Sequence, residues 1–140
     1  MYQTETIGLD EAQKAIQAIL TEQAKDPDKR AISIAVADAN GDLIAFARME
    51  GGRPMTGEVA TRKAYTSVRM RNNSGVAAER VKQGGMNPTD IDPKMIAAQG
   101  GVCIMKPGTQ ICVGAIGVSG LAAPEDEALA EKGMQAMGLK

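Results

Sequence analysis

The chain has 140 residues, is 44% hydrophobic but only 2% aromatic, and carries a net charge of −1. That length suits one domain, residues 1–140, burying roughly two-thirds of its unfolded surface around a single core. The balanced charge argues against a nucleic-acid partner, and no apolar run of about 18 residues is present to form a membrane-spanning helix.

With so few aromatic residues the core must be built from Ala, Val, Ile, Leu and nine Met. Such a core buries less area per residue, which points toward self-association. Met1-Tyr2-Gln3-Thr4-Glu5 does not read as a basic-then-apolar leader, and there are two cysteines. Both features predict a reducing compartment, the cytoplasm.

In chain order, residues 9–25 read as a helix, with Ala12, Ile16, Ile19 and Leu20 on one stripe and Asp26-Pro27 as its stop. Residues 31–49 read as a hairpin turning at Asn40-Gly41, which places Ile34 opposite Ala47 and Ser33 opposite Arg48. A helix over Thr56 to Arg71 follows, with a narrow apolar face of Val59, Ala60, Ala64 and Val68. A shorter helix spans Val76 to Gln83, ended by Gly84-Gly85. Thr89 to Gln99 fits either a short helix or an extended lead-in.

Two glycine-spaced strands, 100–105 and 111–120, flank the turn Lys106-Pro107-Gly108-Thr109. A two-residue loop would set Ile104 opposite Ile111, Val102 opposite Val113 and Cys103 opposite Cys112. The uncharged run Ile111 to Val118 predicts a central strand covered on both faces. Pro124 and three acids open a last helix, from Ala123 to about Met137. The order α-β-β-α-α-β-β-α predicts an α+β fold, an antiparallel sheet flanked by helices.

The chain contains no histidine, which removes the usual general base and the commonest metal ligand. Gly117-Val118-Ser119-Gly120-Leu121 lacks the second glycine of a nucleophile elbow. Cys103 and Cys112 read first as buried, reduced thiols, with a redox pair or a soft-metal site as alternatives. No metal site is otherwise indicated. The polar stretch around Lys63 is the most informative. Lys63 borders the packed face of its helix, Glu58 and Arg62 can pair across one turn, and Tyr65 follows. It reads as a solvated face or as an anion site in which Lys63 or Arg62 grips a carboxylate or phosphate.

Several ordered motifs carry a resemblance over nearly the whole chain. They are Val36-Ala37-Asp38-Ala39-Asn40-Gly41-Asp42-Leu43, Phe46-Ala47-Arg48-Met49-Glu50-Gly51 and Ala60-Thr61-Arg62-Lys63-Ala64-Tyr65-Thr66. The run Gly114 to Gly120 and the Glu125-Asp126-Glu127 helix complete them. Together they resemble the GlcG/HbpS family and the C-terminal domain of PduO-type corrinoid adenosyltransferases. The resemblance implies a profilin-like fold, homo-oligomers from dimer to octamer, and, in some members, binding of haem or corrinoid. With no histidine, haem here would need Met, Tyr, Cys or Thr as ligand, or no protein ligand at all.

Two functional readings follow. One is an oligomeric small-molecule-binding accessory protein whose ligand is an organic acid or a tetrapyrrole, with a haem-linked redox sensor as a variant. The other is an enzyme acting on a small carboxylate-bearing metabolite, with Lys63, Glu58 or Tyr65 as acid–base or anion-binding groups. Both place the pocket between the Lys63 helix and the glycine-rich strands. Gly100, Gly101, Gly114 and Gly117 would leave space there, with Arg62, Lys63, Arg48 and Met49 as its anchors.

Overall fold

The computed structural model describes residues 1–140. Helix α1, Leu9–Gln23, buries Ala12, Ala15 and Ile19 and has Asp10 and Glu11 in its first turn, where the helix dipole favours acids. Strands β1 (Ser33–Asp38) and β2 (Leu43–Arg48) form the first hairpin, in the expected register of Ser33 with Arg48 and Ile34 with Ala47. Gly41 takes φ +91° in the turn, and the Asp38 carboxylate accepts from the backbone N–H groups of Asn40 and Asp42. Helix α2, Pro54–Met70, starts on proline and stops at Arg71, a left-handed residue. Helix α3 is Ser74–Lys82, and the stretch expected to resist assignment holds a single 3-10 turn, Pro88–Asp90. Strands β3 (Gly101–Met105) and β4 (Cys112–Ser119) precede helix α4, Ala123–Ala136.

The strands lie in the order β2-β1-β4-β3, every neighbour antiparallel. All eight residues of β4 are buried, as its lack of charge predicted. The sheet's two faces differ in the size of their side chains. One carries Ile32, Ile34, Val36, Val102, Ile104, Ile116 and Val118 against α1 and α4. The other carries Ala35, Ala37, Ala115 and both cysteines against Ala60, Ala64 and Val68 of α2. Small residues on both partners bring α2 close to the strands. The beginning of α3 covers the β3 edge: Asn73 Oδ1 and Ser74 Oγ accept from the N–H groups of Cys103 and Gly101. This satisfies donors that an open edge would leave unpaired.

The second hairpin departs from the register expected for a two-residue loop. Its loop is longer, closed by the Lys106 N–H donating to the Ile111 carbonyl at 2.8 Å. A bulge between Ile104 and Met105 then pairs Met105 with Cys112, Ile104 with Gly114, Cys103 with Ala115 and Val102 with Ile116. The stretch Lys106-Pro107-Gly108-Thr109 predicts a tight turn with a two-residue loop. Thr109 instead folds its hydroxyl onto the Lys106 carbonyl and accepts from the Ile111 N–H, which widens the loop.

Candidate functional site

The pocket expected between the Lys63 helix and the glycine-rich strands is filled by the helix backbone itself. A Cβ on Gly117 would lie 2.0 Å from the Ala60 carbonyl oxygen, and one on Gly101 would lie 2.5 Å from that of Lys63. A Cβ on Gly114 would strike Ile7 and the Ala37 carbonyl. A Cβ on Gly100 would come within 2.5 Å of the Lys63 ammonium. Gly101 and Gly117 thus serve close approach of the α2 backbone, while the side chains of Lys63 and Ile7 take up the space at Gly100 and Gly114.

Lys63 is itself inside. It is 4% exposed, and its Nζ donates to the Val118 carbonyl at 2.9 Å and to Asp126 Oδ2 at 3.1 Å. Asp126 is 2% exposed and also accepts from the Leu121 N–H at 3.0 Å. Burial pushes the Asp126 carboxyl above its ordinary value, and the Lys63 charge opposes that rise. The pair ties α2 to the first turn of α4 around the end of β4. Arg48 and Met49 lie elsewhere: Arg48 is exposed at the end of edge strand β2, and Met49 packs on the α1–α4 side.

The other polar candidates do gather, on the outer side of α2. Arg62 Nε donates to Glu58 at 2.9 Å, as the one-turn spacing predicted, and its Nη1 reaches the Pro93 carbonyl at 3.0 Å. The Tyr65 hydroxyl donates to Asp92. That bond raises the Tyr65 pKa and lowers the Asp92 one. Arg69 completes the cluster, 3.8 Å from Asp92 and 5.9 Å over the Tyr65 ring. Glu58, Arg62, Tyr65 and Lys94 line a shallow cavity of about 330 Å3 on one side of it.

On the other side lies an open cavity of about 520 Å3, bordered by the end of α2, helix α3 and residues 84–95. This falls within the roughly 300–1,000 Å3 of ligand pockets. Met70, Met86, Met95 and Ile91 make it apolar, and Arg69 and Arg80 add two cations. Arg80 takes part in none of the chain's ion pairs. Met86 is 64% exposed and Ile91 67%, large side chains facing solvent where a ligand would cover them. Sequence reasoning missed this site because residues 84–99 show no helical or strand periodicity. The available signal was the concentration of Met86, Ile91 and Met95 in a stretch with no regular element to pack.

The cavity's soft donors are thioether sulfurs, and its arginines suit carboxylates. It can therefore take a large apolar molecule bearing acid groups.

Comparison with known proteins adds relatives of this fold. The model of a family described as haem degrading protein HbpS-like matches residues 7–135. Protein GlcG of Escherichia coli is 32% identical over 110 residues, 77% of this chain and 80% of that protein. A crystal structure of a double mutant of Streptomyces reticuli HbpS superposes with TM-score 0.85 at 31% identity, covering 99% of this chain and 91% of that one. A crystal structure of a PduOC complex with haem shares the fold at TM-score 0.83 and 21% identity, covering 96% and 97%.

Proposed function

We propose, from the premise that this chain belongs to the HbpS-like family, that it is a small-molecule-binding accessory protein whose ligand belongs to the tetrapyrrole class. The observation that carries this reading is the cavity of about 520 Å3, with its methionine-rich lining and two arginines. A tetrapyrrole presents a broad apolar face and peripheral carboxylates, the two chemistries that the cavity answers. The family's haem-related description supports the same class.

The donor set fits haem through sulfur alone. With no histidine in the chain, Met70, Met86 or Met95 would hold the iron, since methionine sulfur serves as an axial ligand in some haem proteins. Arg69 and Arg80 would grip the carboxylates. Bound haem would supply iron redox chemistry, while the chain's own residues bind it, orient it and exclude water.

A second reading, an enzyme for a small carboxylate-bearing metabolite, is favoured by the smaller cavity, where Glu58, Arg62, Tyr65 and Lys94 converge. The first reading ranks higher because Arg62 and Tyr65 are already engaged by Glu58, the Pro93 carbonyl and Asp92, whereas Arg80 takes part in no ion pair and Arg69 only in a 3.8 Å one with Asp92.

A thermal-shift screen of haemin, cobalamins and small organic acids separates the two. Binding to the folded state raises the unfolding temperature with ligand concentration. The proposal expects haemin or a cobalamin to do so. A shift with small acids only would favour the second reading.

A further inference from the structure

The two cysteines form a cluster that the ligand cavity does not use. The Sγ atoms of Cys103 and Cys112 lie 3.0 Å apart on neighbouring strands, and both thiols are free. In the bulged register they meet diagonally, rather than directly opposite, on the α2 side of the sheet. Cys112 also lines a separate cavity of about 370 Å3 beneath residues 2–5, which it shares with Arg71. Arg71 ends α2 in a left-handed conformation that sends its guanidinium back to the Ala39 carbonyl, beside this cavity. One thiol thus meets a cation and a small space, while its partner stands behind it in sulfur–sulfur contact.

We infer that Cys112 and Cys103 form a peroxide-reducing dithiol site, Cys112 the attacking sulfur and Cys103 the resolving one, with a small hydroperoxide as substrate. The Cys112 thiolate attacks one peroxide oxygen. An S–O bond forms, the O–O bond breaks, and the departing oxygen takes a proton to leave as water or an alcohol. The Cys103 thiol then gives up its proton as its sulfur attacks the sulfenic sulfur. The S–S bond forms, and hydroxide leaves with the Cys103 proton as water. The two sulfurs together lose two electrons and the peroxide gains two. A disulfide requires roughly 2.0 Å between sulfurs, so the pair, 3.0 Å apart, must close by about an ångström through rotation of the two side chains.

The electrostatics agree with these roles. A hydrogen bond from the Cys103 thiol, helped by the Gly114 backbone and Arg71, draws Cys112 below its ordinary value against the cost of burial. The same contact and burial push Cys103 up. Attack requires the thiolate. Cys112 is 6% and Cys103 7% exposed, so only a small oxidant enters.

The test exposes the full-length protein, without added haemin, to stoichiometric hydrogen peroxide. Thiols are then counted after denaturation and the intact mass is measured. The expected result is loss of both thiols within one chain and a mass lower by two hydrogen atoms. Cys103→Ser should stop at one added oxygen on Cys112, and Cys112→Ser should react roughly ten-fold more slowly or less, having lost the activated sulfur. The inference is overturned if the wild-type chain keeps both thiols under peroxide that oxidises glutathione. It is overturned equally by disulfides that form only between chains, or by a Cys112→Ser variant as fast as wild type. The wild-type mass decides the matter even if a serine variant fails to fold.

Discussion

Lys63 carries its ammonium through the end of the sheet to reach Asp126, and both groups are nearly sealed from water. Removing one partner of such a pair leaves an uncompensated buried charge. Lys63→Met is therefore expected to lower stability by ~3–5 kcal/mol, read as the shift of a urea unfolding midpoint. Adding Asp126→Asn should recover much of that loss, because the amide oxygen still accepts from the Leu121 N–H. A Lys63→Met protein as stable as wild type would remove the structural role assigned here. The pH dependence follows from the direction of the Asp126 shift. An acid whose folded pKa stands above its unfolded value contributes stability that is complete below the unfolded value and lost as pH rises through the folded one. Burial raises Asp126 above 3.8, and Lys63 restrains the rise. Without Lys63 the rise grows, so the cost of Lys63→Met should be larger near about pH 7 than near about pH 4. An equal cost at both would contradict the assignment. The sequence made Lys63 conspicuous but left its partner invisible. Asp126 stood among three acids at a helix start, where dipole and solvent explain acids well enough.

The contact between α2 and the strands rests on missing side chains. Gly117→Ala would place a methyl group against the Ala60 carbonyl and the Ala64 nitrogen. The helix must move as a body to admit it, so the expected loss is ~3 kcal/mol or more, the upper end of overpacking costs. Gly8→Ala is the control. Its Cβ would meet nothing nearer than a Glu11 carboxylate oxygen at 3.9 Å, and the expected change is within about 1 kcal/mol. Equal effects in the two variants would mean that α2 does not seat on the sheet as described. At this scale the sequence was largely legible. Apolar periodicity placed α1 and α2, the Gly84-Gly85 break bounded α3, Pro124 and its acids opened α4, Asn40-Gly41 placed the first hairpin, and the uncharged run placed β4 at the centre. The second register escaped because Pro107-Gly108 is compatible with more than one loop length, and Thr109 decides between them through its own hydrogen bonds. The glycines escaped for a different reason. A missing Cβ means space or close approach, and only the position of α2 tells which.

The molecule as a whole presents two surfaces that a monomer leaves unfinished. Edge strand β2 shows Leu43 at 49% and Phe46 at 44% exposure, with Met55 of α2 at 63%. An aromatic-poor domain with apolar side chains at a sheet edge is expected to self-associate. Light scattering at about 10 μM should give a multiple of 14.6 kDa, since assembly follows mass action. A mass of one chain would contradict this. The second surface is the cavity of Met70, Met86, Ile91 and Met95 under Arg69 and Arg80. All of its lining falls between Arg69 and Met95, but the end of α2, helix α3 and residues 84–95 had to fold against one another before those side chains met. The most direct measurement is an absorbance titration of haemin into the wild-type protein and into an Arg69→Met/Arg80→Met variant. The wild type is predicted to give a saturable, perturbed haem spectrum. The variant should bind at least ~10-fold more weakly, the effect of losing charge-assisted hydrogen bonds of roughly 1.5–3 kcal/mol each. A wild-type protein that leaves the haemin spectrum unchanged, or a variant that binds as tightly as wild type, would contradict the account.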